Sequence, residues 1–231
     1  MTSLSRNARI AGLMYILASA VGVLRLMVIP AKLIVHGDAA ATAANIVAHQ
    51  TLFRWGIVTG LLSAALWLFV PLALYRLLKD VDKPLAILMV ILGSLMQVPI
   101  FFVNAGTDAA ALALARGGDV LSVVGKPQRE GFAMLLLNLH HQLDLANAIF
   151  WGLWLVPFGL LVYKSRFLPR ILGVWLIAGC IGWLAYSFVG FLAPALEGTV
   201  FNVGQILTLG EVAMMLWLVV LGAREPRPAE A

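Results

Sequence analysis

The run Asn138-Leu139-His140-His141-Gln142-Leu143-Asp144-Leu145-Ala146-Asn147 sets two histidines, an aspartate and two asparagines directly ahead of a tryptophan-rich apolar stretch. Three chemistries could use such a set. Imidazole at 140 and carboxylate at 144, with His141 and His49 beside them, are metal-ligand types at a spacing that shares one helix face. An imidazole oriented by a carboxylate is also a general base. A polar stripe at the edge of an apolar run can, finally, hold the head of an amphipathic ligand. The metal option is the weakest, because no H-E-x-x-H or comparable signature occurs and adjacent histidines on a helix point about 100° apart. We expect no metal centre. Haem would need axial histidines on facing helices, and only the fourth span is expected to bring a histidine near the lipid. Ser63, Ser187 and Tyr186 are available as nucleophiles, but no spacing marks any of them as activated.

The 3.6-residue period extends the stripe and finds others. His140, Asp144, Asn147 and Trp151 are spaced 4, 3 and 4, as are Gln97, Phe101, Asn104 and Asp108, and again Gly204, Thr208, Glu211 and Met215. Ala11, Ala18, Gly22 and Arg25 give a small-residue face that permits close helix approach, with an arginine at its end. Two cations, Arg25 and Arg54, can therefore meet three anions, Asp108, Asp144 and Glu211. Charges inside membrane spans are costly unless paired or wetted, which makes each a candidate functional residue. Counted at about 1.5 Å per residue, Arg25 lies about 24 Å and Glu211 about 17 Å from the cytoplasmic edge of their spans. These are the deepest charges, so an Arg25–Glu211 contact is expected. Asn104, Asp144 and Arg54 come out at about 30 Å or slightly more, which places the polar residues toward the outer side.

The elements that carry these stripes follow from composition. Of 231 residues, 62% are hydrophobic and only 12% charged, against about a quarter charged in an ordinary soluble domain. Six apolar runs, 10–29, 52–75, 85–104, 143–163, 171–192 and 199–222, are long enough to cross a bilayer as helices. They lack the period-two alternation of a barrel strand. The expected fold is all-α, a single polytopic six-helix membrane domain over 1–231. Ala18-Ser19-Ala20 resembles a signal-peptide cleavage site, but the apolar run continues past it, so an uncleaved first span is expected. Cys180 lies within a span and reads as packing.

Orientation comes from Lys and Arg. Ten of the sixteen fall at the N-terminus (Arg6, Arg9), in the second and fourth connections (Arg76, Lys79, Lys83; Lys164, Arg166, Arg170) and in the C-terminal tail (Arg224, Arg227). Both termini are therefore expected in the cytoplasm. The inner turns, "KDVDKP" and "KSRFLP", are tight, and each ends in a proline suited to starting a helix. Longer outer connections are expected to hold short helices at 39–49, 107–116 and 127–141, the first capped by Asp38 or Thr42. Pro71, Pro99 and Pro157 can kink three spans. The basic charge is attributed to topology and to attraction for anionic lipid; no basic patch interleaved with aromatics suggests nucleic acid.

Five segments, "RIAGLMYILASAVGVL", "GDAAATAANIVAHQTLFRWG", "LALYRLLKDVDKPLAIL", "FWGLWLVPFGLLVYKSRFLPRILGVWLI" and "GEVAMMLWLVVLG", resemble the bacterial membrane family known as domain of unknown function 4386, over roughly residues 6 to 224. The resemblance implies a six-span inner-membrane protein and supplies no reaction, substrate or cofactor. Asn45, Arg54, Glu211 and "FWGLW" fall in segments typical of that family, whereas His140 and His141 match no pattern of it.

The leading expectation is an outward-facing polar pocket that binds a lipid or other amphipathic molecule, with transport of that molecule as its extension. Its lining would be Arg25, Arg54, Asn104, Asp108, His140, His141, Asp144, Asn147 and Glu211, with the two arginines on an anionic headgroup and tryptophans on the tail. One alternative is an intramembrane enzyme with His140 or His141 as base and Asp144 orienting it. Another is a structural protein whose charges only hold helices together.

Overall fold

The computed structural model describes residues 3–118, 121 and 123–223; Arg224 and Arg227 of the orientation argument lie outside the described residues. The helices are α1 (Ser3–Val23), a π turn (Leu24–Val28), α2 (Ile29–Leu33), α3 (Ala39–Ala48), α4 (Gln50–Leu78) and α5 (Lys83–Val90). A second π turn (Ile91–Leu95) is followed by α6 (Val98–Arg116), α7 (Lys126–Leu153), α8 (Leu155–Lys164), α9 (Arg170–Leu192) and, after a 3-10 turn (Pro194–Leu196), α10 (Glu197–Val220). No strand occurs among the described residues. Six helical stretches are long and apolar enough to cross a membrane: Ser3–Leu33, Gln50–Leu78, Lys83–Arg116, Lys126–Lys164, Arg170–Leu192 and Pro194–Val220. Large apolar side chains such as Ile171, Ile181 and Ile206 are more than half exposed, a surface suited to hydrocarbon.

Proline explains where the helices break. A proline removes one backbone donor and crowds the carbonyl four residues earlier. Four residues before Pro30 is Leu26, in the first π turn; before Pro99 is Leu95, the end of the second; before Pro157 is Leu153, where α7 stops. Pro71 does not interrupt α4. The expected outer helices at 107–116 and 127–141 are continuous with spans, as the end of α6 and the start of α7. Only α3 stands alone, and its cap is Asp38, which accepts from Ala41 N at 2.8 Å. Thr42 instead bonds both backbone groups of Val35, at 3.0 and 3.1 Å.

The chain forms two compact units. Unit one comprises the described parts of Met1–Ala18, Leu66–Val98 and Leu145–Ala231; unit two comprises Ser19–Ala65 and Pro99–Asp144. Unit one has a core of Tyr15, Leu74, Met89, Trp154, Phe158, Leu176, Met214 and Leu218, all fully or almost fully buried. Tyr15, Trp67 and Trp154 meet edge to face with centroids 5.5–5.6 Å apart, and Phe158 stacks on Trp154. Helices α8 and α9 touch at the backbone, since a Cβ on Gly159 would lie 2.4 Å from Gly173 O. Gln97 mends both of this unit's breaks: its amide nitrogen donates to Leu92 O at 3.1 Å and to Phe150 O at 3.2 Å. The two tight turns are joined by Lys164 Nζ donating to Asp82 Oδ2 at 2.8 Å. This bond, with the Leu85 N–H, holds the Asp82 carboxyl below its ordinary range. Unit two packs around Ile29, Leu33, Ile46, Phe53, Ala111, Leu112, Ala133 and Leu137.

Candidate functional site

Helix α6 runs unbroken through Gly106, so Phe101, Asn104 and Asp108 fall on one face. His140 and Asp144 do the same on α7. Arg25, 6% exposed on the first π turn, is the residue these faces share. Its Nη2 donates to Asp144 Oδ1 at 3.2 Å, its Nη1 lies 2.9 Å from His140 Nε2, and its guanidinium sits 5.1 Å from the Phe101 ring centroid. Asn104 Nδ2 donates to the same Asp144 oxygen at 2.8 Å. His140 Nδ1 is 2.7 Å from Asp108 Oδ1, and Asp144 Oδ2 is 3.3 Å from Nε2.

These contacts fit two proton placements. In the first, Nε2 accepts from Arg25 Nη1 at 2.9 Å and the ring's proton is on Nδ1, donated to Asp108. In that state the cluster holds one cation and two carboxylates around a neutral imidazole, a surplus of one negative charge. Protonating Nε2 would balance the charge, turn that nitrogen toward Asp144 and forfeit the Arg25 contact. Two buried atoms have no partner within the protein: Arg25 Nε, a donor, and Asn104 Oδ1, an acceptor. Exposure is graded, with side chains at 5% for Arg25, 8% for Asp144, 14% for Asp108 and 18% for His140.

Unit one carries a second polar site. Glu211 on α10 accepts from Tyr15 OH through Oε2 and from Trp183 Nε1, at 3.0 Å, through Oε1. Among the described residues it has no ion-pair partner. The expected Arg25–Glu211 contact is thus corrected: each has its own partners within its own unit. Ranking charges by depth ignored side chains that donate without being charged. Tyr15 was missed as an apolar-looking residue, although it lies four after Ala11 and three before Ala18 on the small-residue face.

The remaining sequence candidates are dispersed. Arg54 is exposed on α4, and His141 is exposed a quarter-turn from the cluster. Asn147 is fully buried in unit one with neither amide atom bonded. In unit two, Arg25, Asn104, Asp108, His140 and Asp144 form one cluster of side chains. The two best-formed cavities are both in unit one and are lined by none of the candidates. One is an apolar groove of about 220 Å³ beside Ile181, Gly182, Val203, Gly204 and Leu207; the other, of about 230 Å³, lies beside Arg166, Phe167 and Trp217. No three His, Cys, Asp or Glu side chains among the described residues are arranged to hold a metal ion.

An uncharacterized protein of Archaeoglobus fulgidus is 34% identical to this chain over 82 residues, 36% of this chain and 47% of that relative, so the match spans about half of the relative's length. No solved structure matches the chain. The family model for a domain of unknown function, DUF4386, matches residues 10–222. With six helices able to cross a bilayer and that match over nearly its whole length, the chain belongs to the DUF4386 family of membrane proteins.

Proposed function

We propose that unit two binds the polar head of a lipid or other amphipathic molecule, at the cluster of Arg25, Asn104, Asp108, His140 and Asp144. The observation that carries this reading is that the cluster's only guanidinium is already held by Asp144 at 3.2 Å, while the Asp108 carboxylate lies toward its more exposed side. Such a site disfavours an anionic headgroup and favours one that donates hydrogen bonds, a primary amine above all. Asp108 and His140, the most exposed members, are the point of entry. The spare Arg25 Nε and Asn104 Oδ1 supply one donor and one acceptor to the same head. A bacterial cytoplasmic membrane is part of the same proposal, and the distribution of Lys and Arg supports both termini inward.

Native mass spectrometry of the protein purified in mild detergent tests this. An aminophospholipid is expected to stay bound through detergent exchange, and D108N and N104L to release it while leaving the fold intact. Equal retention of an anionic phospholipid without an amine, or unchanged binding in both variants, would overturn the reading. The Asp108–His140 pair at 2.7 Å also has the form of an oriented general base, which favours the enzyme alternative, but Nε2 is occupied by Arg25 and only a substrate that displaced the guanidinium could use it.

A further inference from the structure

Glu211 takes no part in that reading, yet it is the acidic residue nearest the middle of α10, fourteen positions after Glu197 in a helix of 24 residues. An ionised carboxylate in an apolar span needs a cation or a full set of donors. Glu211 has two donors, Tyr15 OH and Trp183 Nε1, for two oxygens that offer about four lone-pair sites. The groups facing it are few. From α1 comes Tyr15, while Arg9 on that helix donates to Val220 O at 3.3 Å. From α9 comes Trp183. None is a cation within ion-pair reach. Its partners are held by packing: Tyr15 is completely buried and packs edge to face on Trp67 and Trp154, and the half-buried Trp183 does so on Trp151 at 5.2 Å. A proton is the smallest cation that such a carboxyl can take.

We propose that Glu211, Tyr15 and Trp183 form an exchangeable proton-binding site. The two partners differ in a way that suits this. An indole N–H can only donate, so Trp183 fixes Oε1 as an acceptor in either state of the carboxyl. A phenol can donate or accept. Tyr15 therefore donates to Oε2 when Glu211 is ionised and turns to accept from Oε2–H when it is protonated. The pair keeps its hydrogen bond through loading and unloading. This site is independent of headgroup binding in unit two, and neither proposal fails with the other.

Dicyclohexylcarbodiimide tests it, because the reagent enters apolar spans and attacks protonated carboxyls. The acid proton passes to a carbodiimide nitrogen, the carboxylate oxygen bonds the central carbon, and acyl migration to nitrogen leaves a stable N-acylurea with no leaving group. In full-length protein in nanodiscs, peptide mapping is expected to find the adduct on Glu211, with labelling that falls as pH rises and is lost in E211Q. Y15F, which removes the donor to the ionised form, is expected to shift the labelling profile to more alkaline pH. Glu211 unlabelled at every pH, labelling independent of pH, or a Y15F profile superimposable on the parent would each overturn the proposal.

Discussion

In unit two a guanidinium faces a carboxylate; in unit one a carboxylate faces a phenol and an indole. Both arrangements put an ionisable group among membrane-spanning helices, and they answer its desolvation differently. Asp144 is matched by a full opposite charge and by Asn104, so its environment requires it to be ionised. Glu211 is matched by neutral donors alone, which support the charged form without demanding it. The contrast teaches that the partners of an acid within a span, more than its depth, set what it can do.

The strongest way to break the comparison is to remove one charge from each side. D144A would strand the Arg25 guanidinium, and losing one partner of a buried pair costs about 3–5 kcal/mol. A large fall in melting temperature in detergent is expected. Replacing both partners, R25M with D144L, is expected to recover most of it, since apolar substitution of a whole buried pair is often neutral. E211Q is the opposite case. Glutamine keeps an acceptor for Trp183 and offers Tyr15 a donor, so its melting temperature is expected to stay within about 1 kcal/mol equivalent of the parent. A loss as large as that of D144A would erase the distinction between the two sites.

A control of intermediate size probes packing without charge. G159A drives a methyl to 2.4 Å from Gly173 O, and overpacking of this kind costs about 1–3 kcal/mol. Thermal unfolding of that variant calibrates the two charge effects against a purely steric one. The smallest effect is expected at the exposed end of unit one. K164M removes the bond that lowers the Asp82 carboxyl. Because the folded-state value lies below the unfolded one, the stabilisation is present above the ordinary carboxylate range and disappears as pH falls through the folded value. Parent and K164M stabilities, measured against pH, are expected to converge in acid and also at high salt.

Much of this was legible beforehand. Apolar run lengths foretold six spans, and the 4-3-4 spacings put Phe101, Asn104 and Asp108 on one face and His140 with Asp144 on another, which the contacts of Arg25 bear out. Three things were not legible. The partner of Arg25 depends on how helices are arranged around it, which no single-helix period encodes. Glu211's partners are residues whose donors are small parts of large apolar side chains, so hydropathy hides them. The continuation of α6 and α7 into the outer connections arises because Gly106 and the polar residues around His140 tolerate helix, where composition alone reads them as boundaries.

Gln97 has a further consequence. One side-chain nitrogen supplies a hydrogen each to Leu92 O and Phe150 O, carbonyls on two different helices next to two different proline-induced breaks. The breaks are therefore mechanically yoked. Neither hinge can open without withdrawing a donor that the other also uses, and flexing in that part of the molecule has to be concerted.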